Sequence, residues 1–167
     1  MNAKQDAIDI LNGFIVDISV AVEVLKDYEV GDYPQRDNQF RQGLYRLCLQ
    51  SIILNCAKYT EFCREYGQVL NECCPDLSSE RNNIKENLEQ RGVNKFRSKY
   101  IAHNRCDITK RPFTTKETDM LVNSIIGGSG ALDFLNWLLP DYPENVKTQK
   151  YFTGFLSLLR DRIHETL

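Results

Sequence analysis

Residues 3–28 read AKQDAIDILNGFIVDISVAVEVLKDY. Within this stretch Ile8, Leu11, Ile15, Ile18, Val22 and Leu25 are separated alternately by three and four residues. At about 3.6 residues per turn, that spacing gathers them on one stripe of a helix. Ala7, Phe14, Ala21 and Val24 widen the stripe, so the helix is expected to be well buried. Gly31-Asp32-Tyr33-Pro34 then breaks it.

The same rhythm recurs downstream. From about Asp37 to Cys73, Leu49, Ile52, Cys56, Tyr59, Cys63, Tyr66 and Leu70 step by three and four, which predicts one long helix with Asp37 as N-cap. Cys74-Pro75-Asp76 ends it, because the residue before a proline is driven out of the helical region. A third helix is expected from Ser78, capped by Ser78 or Ser79, to about Asn104–Cys106. Its stripe is Ile84, Leu88, Phe96, Tyr100 and His103, interrupted at Arg91-Gly92. A polar connection, DITKRPFTT, follows. A fourth helix begins near Thr115, with Thr114 or Thr115 as cap and Glu117 or Thr118 in its first turn. Gly127-Gly128-Ser129-Gly130 interrupts it before ALDFLNWLL resumes up to Pro140. The last segment runs from about Pro143 to Glu165 and carries Tyr151, Phe155, Leu158 and Leu159 in helical order. Alternating strand patterns and internal repeats are absent from the sequence. Five helical segments joined by short breaks predict an all-α fold, an up-and-down antiparallel bundle in a single domain spanning 1–167.

Composition narrows the function classes. Apolar residues make up 42% of the 167 and charged residues 26%, values of a folded globular chain and not a disordered one. The net charge of −2 argues against a surface that is basic throughout, while leaving room for a local basic cleft. The opening MNAKQDAIDILNGF lacks the pattern of a signal peptide, and apolar runs are too short to span a membrane. The expected location is therefore the cytosol, with no membrane partner. Six cysteines, Cys48, Cys56, Cys63, Cys73, Cys74 and Cys106, form no CxxC pair and stand beside only two histidines. A zinc site of repeated CxxC or CxxH units is excluded, and small core residues are the better reading of Cys48, Cys56 and Cys63. The Gly127–Gly130 run follows no strand and lacks the lysine of a phosphate-binding loop.

The segment with chemical character is Lys95-Phe96-Arg97-Ser98-Lys99-Tyr100-Ile101-Ala102-His103-Asn104-Arg105. Arg97 and His103 lie six residues apart, about 120° around a helix, and Asn104 lies on nearly the same face as Arg97. The long arginine stem lets Arg97, His103 and Asn104 line one mouth. A guanidinium donates paired hydrogen bonds to phosphate, and an imidazole titrates near neutrality. The purely structural alternative stands beside this one: His103 as a core-edge histidine, and Arg97 paired with Asp107 or with a carboxylate on another helix.

FRSKYIAHN resembles the hallmark of the HEPN superfamily: an arginine, four to six residues, then a histidine. Five residues separate Arg97 from His103 here. The helical order extends the likeness over roughly the first two-thirds of the chain. It looks most like the HEPN proteins of phage-abortive-infection systems. One departure is Ser98, where family nucleases often carry asparagine, aspartate or another strong polar group. The resemblance implies metal-independent RNA cleavage needing no cofactor, with Arg97 and His103 catalytic. Ser98, Lys99, Tyr100, Asn104 and Arg105 would contact the substrate. It further implies a homodimer in which two motifs face one cleft, and a toxin or defence role with an antitoxin partner. The alternative within the same family is a non-catalytic module that binds RNA, a nucleotide or a protein.

Other candidates are weaker. His164 reads as a solvated last turn favourable to the helix dipole. Tyr100 occupies the position that a di-iron Glu-x-x-His pair would need before His103. Trp137 reads as a bundle or dimer anchor.

Overall fold

In a computed structural model, which describes residues 2–30, 38–98, 111–112, 114–127, 131–141 and 148–167, the stripe of residues 3–28 forms one helix, α1 (Ala3–Val30). Ala7, Leu11, Ile18 and Val22 have no exposed surface, and Ile8, Phe14 and Leu25 have almost none. The opposite side of α1 leaves Val16 and Val20 in solvent. Two long helices pack along the buried face, α2 (Asn38–Glu65) and the helix formed by Phe152–His164. Both run antiparallel to α1. Phe14 meets Phe62 while Asp17 meets Asn55, and Lys4 reaches Thr166 while Asn12 reaches Arg160.

The fold is all-helical: among the described residues there is no strand, and there are eight α-helices rather than about five. The extra elements come from three breaks: a bend at Tyr66 that the hydrophobic rhythm does not register, and the interruptions at Gly92 and Gly127, which the sequence marks but which separate full helices. The second predicted helix divides at Tyr66 (φ −102°, ψ 19°) into α2 and α3 (Gly67–Cys73). The hydrogen bonds from Tyr66 to Phe62 and from Leu70 to Tyr66 persist across the bend. A 3-10 turn, Pro75–Leu77, leads directly into α4 (Ser78–Gln90). The N-cap there is Leu77, with no side-chain bond, so neither Ser78 nor Ser79 caps. The third predicted helix breaks at Gly92, whose φ of 83° is the left-handed conformation that glycine alone adopts cheaply, and α5 (Val93–Phe96) follows.

The cap of α6 (Thr115–Ile126) is Thr114, in a capping box with Glu117. Gly127, at φ 93°, ends that helix, and α7 (Ala131–Leu138) follows. The last helix, α8 (Phe152–His164), starts later than Pro143, after an extended Tyr151. Asp37, Pro143 and Gly128–Gly130 lie outside the described residues.

The core fills from every helix. Tyr59, Phe96, Phe152 and Phe155 are fully buried among leucines and isoleucines, each such burial worth roughly 1.5–3 kcal/mol. Trp137 stacks on Phe152 at 5.3 Å and leans on Phe134 at 5.7 Å, a bundle anchor. Cys48, Cys56 and Cys74 are small core residues, and Cys63 and Cys73 are half-buried. Burial pushes the Cys56 thiol up to about 12, and those of Cys63 and Cys74 to about 11, so none is a nucleophile near neutrality. No helix among the described residues is long and apolar enough to cross a membrane.

Candidate functional site

The α4–α5 corner is what aims Arg97. Arg91 sits at the bend and holds it from three sides. Its Nε donates to Asn87 Oδ1 at 2.8 Å, its Nη1 donates to the Ile125 carbonyl at 2.7 Å, and its guanidinium lies 5.0 Å over the Phe134 ring. Val93 and Phe96 then drive into the core, 0% and 1% exposed. One residue further along the helical path, Arg97 is turned outward. Thr60 of α2 fixes the other side. Its hydroxyl lies 2.8 Å from the Ala57 carbonyl and 3.1 Å from Asn94 Oδ1, tying α5 to α2 one turn before Arg97.

Arg97 Nη1 donates to Glu61 Oε1 on α2. Both side chains keep 36% of their surface, so this is a half-exposed pair and not a sealed one. The pair stands in a groove of about 640 Å³ between α2 and the α4–α5 corner. Arg64, Lys85 and Arg97 supply cations to its walls, Glu61 and Glu89 supply carboxylates, and Thr60, Asn94 and Ser98 supply neutral polar groups. Lys85 and Glu89 face each other at 3.9 Å along α4, which draws one cation partly away. The lining is thus polar, with three positive groups against two negative ones.

Of the residues singled out from the sequence, the structure brings Arg97 and Ser98 to this groove. The Ser98 hydroxyl donates to the Lys95 carbonyl at 3.2 Å, so its proton is engaged while its oxygen can still accept. Lys95 points to solvent beside it. Lys99, Tyr100, His103, Asn104 and Arg105 lie outside the described residues, as do Cys106 and Asp107. The carboxylate that Arg97 takes belongs to another helix, at a separation of 36 residues. Glu61, Arg64, Lys85 and Asn94 were not anticipated. Asn94 stands one turn before Arg97 on α5, whereas nothing in local spacing marks Glu61, Arg64 and Lys85, which meet Arg97 because α2 packs against α4 and α5.

The groove can recognise an anion. Glu61 takes one nitrogen of the Arg97 fork, and a planar guanidinium offers five N–H donors in all, enough to hold a phosphoryl oxygen as well. Among the described residues no group of three or more histidines, cysteines or carboxylates is placed to hold a metal ion. His164 is exposed in the last turn of α8 and far from this groove in sequence and lining.

Neither a family model nor a curated protein sequence matches the chain. Among solved structures it is similar to the integron cassette protein Vpc_cass2, from the mobile metagenome of V. paracholerae. The two are 27% identical, with a TM-score of 0.78 over 98% of each chain. The helical bundle that carries the Arg97–Glu61 groove is accordingly an arrangement shared, end to end, with that cassette protein.

Proposed function

We propose that this chain is a metal-independent endoribonuclease of the HEPN type, with Arg97 and His103 as its working pair. The observation that carries the reading is the placement of Arg97: half-exposed, braced by Glu61, in an open polar groove large enough for a nucleotide unit. In the proposed reaction an imidazole takes the proton of a ribose 2′-OH. The 2′ oxygen attacks the adjacent phosphorus, and the P–O5′ bond breaks. The departing 5′ oxygen is protonated, leaving a 2′,3′-cyclic phosphate and a 5′-OH. The guanidinium stabilises the charge that develops on the phosphoryl oxygens. His103 is the imidazole by sequence; Lys99 and Arg105 add positive charge to the same segment, and Tyr100 and Asn104 add donors. A homodimer would set two such segments against one substrate, and a chain of this kind would need an antitoxin or a trigger to be tolerated in the cytosol.

The direct test is single-stranded RNA incubated with the protein in EDTA. The expected products end in cyclic phosphate and 5′-OH. His103→Ala and Arg97→Ala should each slow the reaction by about a hundredfold or more while the helical circular dichroism is unchanged. RNA that is retained but never cut supports the second reading, a binding module. That reading has its own support: Glu61 already neutralises Arg97, and the Ser98 proton is engaged by the backbone. RNA neither bound nor cut at low salt removes both.

A further inference from the structure

A second cleft opens on the other side of Glu61, between α1 and α2, with a volume of about 340 Å³. That lies within the usual range for small-molecule sites. Its floor is aromatic. Phe14 meets Phe62 edge-on at 6.0 Å, and Tyr66 stacks on Phe62 at 5.0 Å, half-buried at the surface end of the row. Its rim is acidic: Asp17, Glu61 and Glu65 line it against the single cation Lys58. Asn55, 3% exposed, is fixed by a 2.9 Å bond from its amide to the Ser51 carbonyl, and the same nitrogen lies 3.4 Å from Asp17 Oδ2. A buried group therefore orients a rim carboxylate.

Gly13 supplies a separate observation. It sits in mid-helix on α1, where glycine weakens a helix by roughly 0.5–1 kcal/mol relative to alanine. It lines the cleft, and a Cβ placed there would meet no atom within 4 Å. Packing does not require a glycine at this position, and a bulky side chain here would project into open space at the edge of the cleft.

We propose that the α1–α2 cleft binds an organic ammonium ion with an apolar body, and that this ligand competes with Arg97 for Glu61. Phe14 and Phe62 are 5% and 2% exposed, so the half-buried Tyr66 at the end of the row receives the apolar body, and its outer ring face favours the positive charge. The three carboxylates take the ammonium. Glu61 lines both cavities, so a cation on the α1 side draws its carboxylate away from the guanidinium on the α4 side. The groove then gains a freer arginine. Coupling of this kind is reciprocal: whatever engages Arg97 more tightly releases Glu61 to the cation. The binding claim stands whether or not the groove cuts RNA, because its readout is binding alone.

The probe is phenethylammonium chloride, titrated into the full chain and followed by backbone amide NMR, with 2-phenylethanol as its uncharged twin at equal ionic strength. Saturable shifts centred on residues 10–17 and 55–66 are expected, with the alcohol at least about tenfold weaker. Gly13→Leu should keep or raise the melting temperature and abolish the shifts, which separates a filled mouth from a misfolded protein. Arg97→Gln should tighten the ammonium severalfold. The site is overturned by the absence of saturation up to about 10 mM, by equal binding of the alcohol, or by unchanged binding in Gly13→Leu. Equal affinity in Arg97→Gln overturns the competition for Glu61.

Discussion

Glu61 is the residue on which both cavities turn, and its chemistry is set by its degree of exposure. With 36% of each side chain in solvent, the Arg97–Glu61 pair is screened, and such pairs contribute at most about 1 kcal/mol to stability. Glu61→Gln should therefore leave the urea midpoint almost unchanged. It should also leave Arg97 with an unbalanced charge, and a short RNA should bind severalfold more tightly at low salt, with the gain shrinking as salt rises. A filter-binding titration across salt concentrations measures this; weaker RNA binding in Glu61→Gln would mean that the carboxylate positions the guanidinium more than it masks it. Arg97 was legible from its spacing to His103. Glu61 was not, because a helix surface shows many carboxylates and only the neighbouring helix selects one.

At the scale of the element, caps and bends set where helices begin and stop. The start of α6 is the clearest case. Thr114 Oγ1 accepts from the Glu117 N–H at 3.3 Å, and Glu117 Oε2 accepts from the Thr114 N–H at 2.8 Å. Arg111 grips the same carboxylate with two bonds of 2.9 and 2.8 Å. The Arg111 bonds first, then those from Thr114, hold the Glu117 carboxyl down at about 2. Because this value lies below the ordinary carboxylate value of about 4.3, the stabilisation is complete above that pH and is lost as pH falls toward 2. Hydrogen exchange, corrected for its intrinsic rate, should show constant protection in the first turn of α6 above about pH 5 and a decline toward pH 2. Arg111→Gln should move that decline to higher pH. Protection that is flat between pH 5 and 2 would contradict the account. The Thr-x-x-Glu signature was readable in the sequence; the contribution of Arg111, from before the helix, was not.

Across the whole molecule, a few buried polar ties join elements that are distant in the chain. Lys26 is 8% exposed near the end of α1, and its Nζ donates to the Leu139 carbonyl at 2.7 Å and to Asp141 Oδ1 at 2.5 Å, beyond the end of α7. Lys26→Met removes both bonds and should lower the unfolding free energy by about 1–3 kcal/mol in urea. Asp141→Asn should cost less than about 1 kcal/mol, because Asp141 is largely solvated and the carbonyl still accepts. Equal losses in the two variants would place the stabilisation in the ion pair instead of the carbonyl bond.

The sequence by itself determined the helical class, the buried stripes of α1, α2 and α8, the choice of Thr114 or Thr115 as the cap of α6, and the interruptions at Arg91-Gly92 and Gly127. All of these depend on contacts within one or two turns, where periodicity and local hydrogen bonding dominate. Tertiary structure decided the bend at Tyr66, the selection of Thr114 as the α6 cap, and the meeting of Arg97 with Glu61. It also decided the cleft beside Gly13. The bend, the pairing and the cleft arise where separate helices pack against each other, and a hydrophobic rhythm states which face a helix buries without stating which neighbour will cover it.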